Sequence, residues 1–169
     1  MSAIKSYKDL LIWQKGFEIV ISTYRLVKAF PQEELYALTS QIKRAAISIP
    51  SNIAEGYGRN TDKSFSHFID ISRGSLYELE TQLLIANELD FIQDINMFNQ
   101  IISLINEESK MINAFYNTLS KANQLNPELT PKCILACLIS TIRSDKGKSP
   151  LKSTTPLKLV FSFEITTTS

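Results

Sequence analysis

The stretch Gln41–Arg59 reads QIKRAAISIPSNIAEGYGR. Its apolar residues Ile42, Ala45, Ile49 and Ile53 recur at intervals of three and four, the period of an amphipathic helix. Leu35 and Leu38 extend the same stripe towards the N-terminus. A polar row, Arg44, Ser48, Asn52 and Glu55, runs at spacings of four, four and three, so it shares one helix face. Pro50 falls inside the pattern. It removes one backbone hydrogen bond and crowds the preceding turn, which predicts a kink near 46–51. Gly56 and Gly58 then read as a helix stop.

Three further segments share this periodicity. Upstream, Leu10, Trp13, Phe17, Val20, Tyr24 and Val27 form a heptad-like stripe within a helix over about 7–29, expected to face the core. Ser6 is a candidate cap with Asp9 three residues on. Gly16 costs helix propensity, and that cost points to close approach by a neighbour. Phe30-Pro31 separates this helix from the next, with Pro31 in a first turn and Glu33 and Glu34 where the helix dipole favours acids. Downstream, Phe65, Phe68, Ser72, Leu76, Leu79, Leu83 and Ala86 define a third helix capped by Asn60 or Thr61. Its small middle, Ser72, Gly74 and Ser75, allows two backbones to approach. After Asp94, the residues Phe98, Ile102, Ile105, Ser109, Ile112, Tyr116 and Leu119 define a fourth, ended by Asn126-Pro127. Four helices of about 20–28 residues with short loops imply an all-α, antiparallel up-down-up-down four-helix bundle over residues 1–125.

Residues 126–169 form an extension of different composition. CILACLISTI (Cys133–Ile142) is apolar enough for a short helix or strand. Beyond it, 12 of the 26 residues Ser144–Ser169 are Ser, Thr or Pro, a composition that leaves a chain poorly ordered. LKLVFSFEI (Leu157–Ile165) could pair as a strand but has no partner in a helical bundle. The charge is uneven: residues 1–125 hold 12 Lys+Arg and 14 Asp+Glu, net −2, and the extension holds 6 and 3, net +3. With +1 overall, the chain is neither a basic nucleic-acid glue nor an acidic mimic.

Several chemistries lack their residues. Cys133 and Cys137 have neither C-x2-C zinc nor redox spacing, and one His in the chain adds too little for a metal site. They read as free thiols of a cytoplasmic protein. The N-terminus turns polar too soon for a signal peptide, and no apolar run approaches the ~20 residues of a membrane span. A di-iron bundle needs Glu-x-x-His, but Ser64 stands three residues before His67. Glu78 and Glu80 fall on different helix faces and make a poor acid–base pair. Gly56-Tyr57-Gly58 follows a helix rather than a strand, so it is no dinucleotide loop. A ribonuclease pairing Arg59 with His67 would need a shorter spacing than the eight residues present. No catalytic residue, cofactor or metal is expected.

Two constellations remain. Lys43, Arg44, Arg59, Lys63 and Arg73 cluster in sequence around the turn between the second and third helices, and are candidate phosphate contacts. The competing reading is a solvated face, with Arg59 near Glu55 and Lys63 near Asp70. Ser48, Asn52 and Glu55, with Gly56, and Gly74, Ser75 and Glu78 on the third helix, form a candidate polar network. It serves a specific packing partner if fully satisfied, and is ordinary surface if not.

YKDLLIWQKGFEI (Tyr7–Ile19), FPQEELYALTSQIKRAAISIPSNIAEGYGR (Phe30–Arg59) and FIDISRGSLYELETQL (Phe68–Leu83) resemble the bacterial 23S rRNA intervening-sequence proteins, over roughly residues 5–121. SIPSNIAEGYGR followed by SRGSLYELE is the specific part. That family is similar to the accessory variability determinant proteins of diversity-generating retroelements, pentameric barrels that bind a reverse transcriptase and nucleic acid through basic surface. The resemblance implies a four-helix bundle, a homopentamer and association with structured RNA or a ribonucleoprotein. It implies no enzymatic activity. Arg44, Ser48, Asn52, Glu55, Gly56, Arg59, Arg73, Gly74, Ser75 and Glu78 occupy the family's motif. The rival expectation is a protein–protein adaptor without a nucleic-acid role.

Overall fold

The computed structural model describes residues 5–59 and 61–125. Expectations for the extension 126–169 lie outside the described residues. A short 3₁₀ turn, Tyr7–Asp9, precedes helix α1, Leu11–Leu26. Ser6 and Asp9 close the capping box, the Asp9 carboxylate accepting from the Ser6 N–H at 3.0 Å. Two further 3₁₀ turns, Val27–Ala29 and Gln32–Tyr36, carry the chain past Pro31. Helix α2 spans Leu38–Gly58, α3 spans Asp62–Glu88 and α4 spans Ile95–Leu125. Among the described residues there is no strand.

The sequence places the helices well and their ends less well. The first element is α1 flanked by 3₁₀ turns rather than one helix over 7–29, and α2 begins seven residues after Pro31. Thr61 caps α3, its hydroxyl accepting from the Ser64 N–H at 3.2 Å. Asp94 caps α4 through the Met97 N–H at 2.9 Å. Pro50 lies inside α2, which continues through it to Gly58.

Contacts between consecutive helices rise along one and fall along the other, as in antiparallel pairs. Between α2 and α3 the pairs are Ser48–Ser75, Ile49–Ser72 and Gly56–Phe65. Between α3 and α4 they are Arg73–Asn113 and Tyr77–Ser109. Tyr24–Lys43 and Gly16–Ile49 join α1 to α2, and Lys15–Glu107 joins α1 to α4. The core fills the middle with Ile19, Ile42, Ile49, Ile53, Phe65, Ile69, Leu76, Leu79, Leu83, Ile101, Ile105 and Ile112, all essentially inaccessible.

One face differs from the sequence reading. On α1 the core side is Ile12, Gly16, Ile19, Thr23 and Leu26. Of the expected stripe, Leu10 and Val27 are buried, Trp13 and Val20 are half-buried against the core, Tyr24 is half-buried, and Phe17 turns outward, 48% exposed. Gly16 sets this orientation. A Cβ added there would lie 3.2 Å from Ile49 Cγ2 and 3.7 Å from Pro50 Cβ, so α1 presents its smallest residue to α2 at Ile49 and Pro50. Gly56 plays the same part between α2 and α3. A Cβ there would meet Phe65 Cδ2 at 2.7 Å and Phe68 Cβ at 2.8 Å. Gly56 therefore lies within α2 as a point of close packing rather than as a helix stop.

A second departure is Glu108, fully buried on α4, with neither carboxylate oxygen hydrogen-bonded among the described residues. Burial pushes its pKa up from the ordinary 4.5 to about 8, against the opposing pull of the Lys15 ammonium.

Two predictions follow from this packing. Gly56→Ala forces a methyl into the Phe65 ring and the Phe68 Cβ and is expected to cost about 1–3 kcal/mol. Gly74→Ala, where an added Cβ meets nothing within 4 Å, is expected to gain roughly 0.5–1 kcal/mol from helix propensity. Urea unfolding of both variants checks the pair, and equal effects would contradict the packing described. For Glu108, both states hold the proton below pH 4.5. Above it the unfolded carboxyl ionises first, so folding takes up a proton and stability falls as pH rises towards 8, by up to about 1.4 kcal/mol per pH unit. Glu108→Gln is expected to flatten that slope between pH 5 and 8, read as unfolding midpoints against pH.

Candidate functional site

The motif residues of α2 and α3 meet around Pro50. A proline at this position leaves the Ala46 carbonyl without its helical donor and puts a ring where a neighbouring turn would pack. Around it the polar side chains close on one another. Asn52 Nδ2 donates to the Ser48 carbonyl at 2.7 Å and to Ser48 Oγ at 2.8 Å. Ser75 Oγ lies 2.8 Å from Ser48 Oγ and 3.0 Å from the Ile71 carbonyl. Ser72 Oγ donates to the Ile49 carbonyl at 3.0 Å, fully buried. Ser48, Asn52, Ser72 and Ser75 are thus one satisfied seam between two helices, a use that fixes packing rather than offering groups to a ligand.

The other motif residues stay outside that seam. Glu55 pairs with Arg59 one turn on, and Arg44 donates to Gln41. Glu78 accepts from Gln82 Nε2 at 2.9 Å. Gly74 lies open on the outer side of α3.

The five basic candidates do not converge. Lys43 faces α1, its ammonium 5.4 Å above the Tyr24 ring. It also lines a cavity of about 290 Å³ with Lys28, Phe30, Leu35 and Thr39. Arg44 is exposed on α2. Arg73 faces α4: it pairs with Asp70 at 2.5 Å, donates to Asn113 Oδ1 at 3.2 Å and lies 5.1 Å over the Tyr116 ring. Asp70 is therefore the partner of Arg73, where the sequence suggested Lys63. Only Arg59 and Lys63 share a location, the exposed turn between α2 and α3. There the Arg59 guanidinium sits 5.0 Å over the Phe68 ring, and His67 packs edge-on against Phe68 at 5.8 Å.

Sequence reasoning missed the α3–α4 cluster. Tyr77 Oη lies 3.3 Å from Ser109 Oγ. Hydrogen bonds from Ser109 and then Asn113, with the charge of Arg73, hold its pKa below the ordinary 10. Its only sequence signal is helical spacing, Arg73 to Tyr77 on α3 against Ser109, Asn113 and Tyr116 on α4. On the α1–α4 side, a hydrogen bond to Glu107 leads the effects that raise the pKa of Lys15, at 3.1 Å. Among the described residues no three His, Cys, Asp or Glu side chains gather as a metal site would require, and no helix is long and apolar enough to cross a membrane.

Comparison with solved structures places this architecture. A crystal structure of a protein of unknown function from the S23 ribosomal protein family of Bacteroides thetaiotaomicron superposes with a TM-score of 0.59 at 22% identity. The match covers 66% of this chain and 99% of that one, a likeness of fold. No curated protein matches the chain. The family model of the 23S rRNA-intervening sequence proteins matches residues 8–114, from the first turn to the middle of α4 and across every motif residue above. The chain belongs to the 23S rRNA-intervening sequence protein family.

Proposed function

We propose that this protein is a non-enzymatic, homo-oligomeric helical scaffold that associates with RNA or a ribonucleoprotein at the α2–α3 end of the bundle. The observation that carries the scaffold reading is the inward use of the motif. Ser48, Asn52, Ser72 and Ser75 are spent on holding two helices together around Pro50. What the surface offers is docking chemistry rather than a reaction centre.

Self-association fits the outer side of α3. Ile71 is 38% and Ile85 45% exposed. They share a helical row with the open Gly74. The pentamer implied by the resemblance belongs to this reading. RNA association fits the turn between α2 and α3. Arg59 over Phe68, with Lys63 and His67 beside it, offers phosphate-seeking charge next to an aromatic face. The name of the family supports RNA as partner. Arg44, Lys43 and Arg73 point elsewhere and are engaged by neighbours, so the expected footprint is narrow.

The test is light scattering of the full chain with and without bulk cellular RNA, at about 50 and 200 mM salt. A particle of several subunits is expected, gaining mass with RNA. With two phosphate contacts per subunit, the fourfold rise in salt weakens each contact set roughly tenfold. Arg59→Gln with Lys63→Gln is expected to remove the RNA-dependent mass and leave the particle intact. RNA binding that ignores both salt and this double variant overturns the assignment of the interface. A particle indifferent to RNA favours the protein–protein adaptor, and a monomer overturns the scaffold.

A further inference from the structure

Helix α1 carries two apolar stripes; the bundle buries one fully and the other only in part, with Trp13 and Val20 packed against the core. Ile12, Gly16, Ile19, Thr23 and Leu26 are buried. The second stripe, Trp13, Phe17, Val20, Ile21 and Tyr24, runs along the outer flank. Phe17 is 48% and Ile21 39% exposed, and the Trp13 and Phe17 rings stack at 5.3 Å. Scattered exposed apolar residues need no explanation, but Phe17 and Ile21, one turn apart beside the half-buried Trp13, Val20 and Tyr24, form one apolar patch that a further segment can cover.

We propose that this flank is covered by a segment of the same chain, Cys133–Ile142, laid along α1 in cis. The first support is where the extension begins. Phe115 of α4 connects to Trp13 through four consecutive ring contacts, Phe115–Phe65, Phe65–Tyr57, Tyr57–Tyr7 and Tyr7–Trp13, none longer than 6.4 Å. The C-terminal end of α4 and the start of the exposed stripe therefore share one end of the bundle. Helix α4 runs ten residues past Phe115, about 15 Å. Eight peptide steps then separate Leu125 from Cys133 and can span up to about 28 Å, enough to return to the level of Trp13.

The second support is fit. CILACLISTI has no charged residue, and Lys132 and Arg143 bracket it. Ile134, Cys137, Leu138 and Ile142 are spaced as one helical face. As a helix the ten residues measure about 15 Å, and Trp13 to Tyr24 along α1 measures about 16 Å. The S23-family structure is spanned almost whole by two thirds of this chain, which leaves a third of this chain beyond the match and available as an added cover.

Trp13 is the only tryptophan, and Cys133 and Cys137 are the only cysteines, so contact can be read directly in the full chain. Cys137→Ser is labelled at Cys133 with a nitroxide, a short-range quencher. Trp13 emission is expected to fall at least twofold against the unlabelled protein, unchanged over a hundredfold dilution. In the same labelled protein, Ile134→Asp with Leu138→Asp is expected to restore emission. Without label this double variant is expected to move Trp13 emission to longer wavelength and raise acrylamide quenching about twofold. Both changes fall outside the bundle, so the helical circular-dichroism signal should stay constant and separates undocking from unfolding. Quenching that fades on dilution identifies a second copy as the occupant and overturns the proposal. So does an absence of quenching, or a Trp13 environment indifferent to the aspartates.

Discussion

The structure depends on how it accommodates Pro50. A proline in the middle of a buried helix removes a donor and thrusts a ring at the preceding turn. Left alone it would break α2, the helix that touches both α1 and α3. Three features surround it. Gly16 removes the side chain that α1 would otherwise drive into Ile49 and Pro50. Ser72 reaches from α3 to the Ile49 carbonyl. Asn52 and Ser75 engage Ser48 on the turn before. The glycine makes room for the proline, and the serines hold α3 beside it, so three helices meet at this point.

That meeting of helices also explains what the sequence could and could not say. Helix positions were legible because periodicity and caps are local: Thr61 caps α3 as expected, while Ser6 with Asp9 caps the 3₁₀ turn ahead of α1 rather than α1 itself. The face of α1 was not legible by hydrophobicity. Trp13, Phe17 and Tyr24 outweigh Gly16 and Thr23 on any transfer scale, so the larger stripe reads as core. What decides the rotation is steric, the need to lay Gly16 against Pro50, and that partner lies some thirty residues away. Gly56 shows the same contrast. In sequence a glycine after a helical run reads as a stop, whereas here its missing Cβ makes room for Phe65 and Phe68 on the next helix.

The polar site divides along similar lines. Ser48, Asn52 and Ser75 were recognisable as a network because i, i+4 spacing brings polar groups together within a helix. Its inward direction was not, since direction depends on the partner helix. The basic residues suffered the opposite error. Closeness along the chain suggested one patch, yet residues one apart in a helix diverge by about 100°. Lys43 therefore turns to Tyr24 of α1, and Arg44 turns to Gln41 on its own helix. Arg73 joins Asp70, Asn113 and Tyr116, contacts that require α4 to be in place.

Glu108 shows how far burial can depart from composition. It stands in Asn106-Glu107-Glu108-Ser109, the most polar run of α4, where sequence pattern assigns a solvent face. Yet the helix period places it in line with Ile101, Ile105 and Ile112, and geometry prevails over residue type. Its neighbour Glu107 points out and takes Lys15 at 3.1 Å, which keeps that ammonium at the rim of α1 and α4. The same lysine is the cation that opposes the neutralisation of Glu108 by burial. One lysine thus holds an exposed carboxylate directly and a buried carboxyl through the field. A core with this acid in it is less stable than an apolar one. The bundle carries that cost on the α1–α4 side, opposite the α2–α3 seam where every motif hydroxyl is satisfied. The acid without a hydrogen-bond partner among the described residues therefore sits on α4 near Lys15 of α1, and the satisfied hydroxyls lie between α2 and α3.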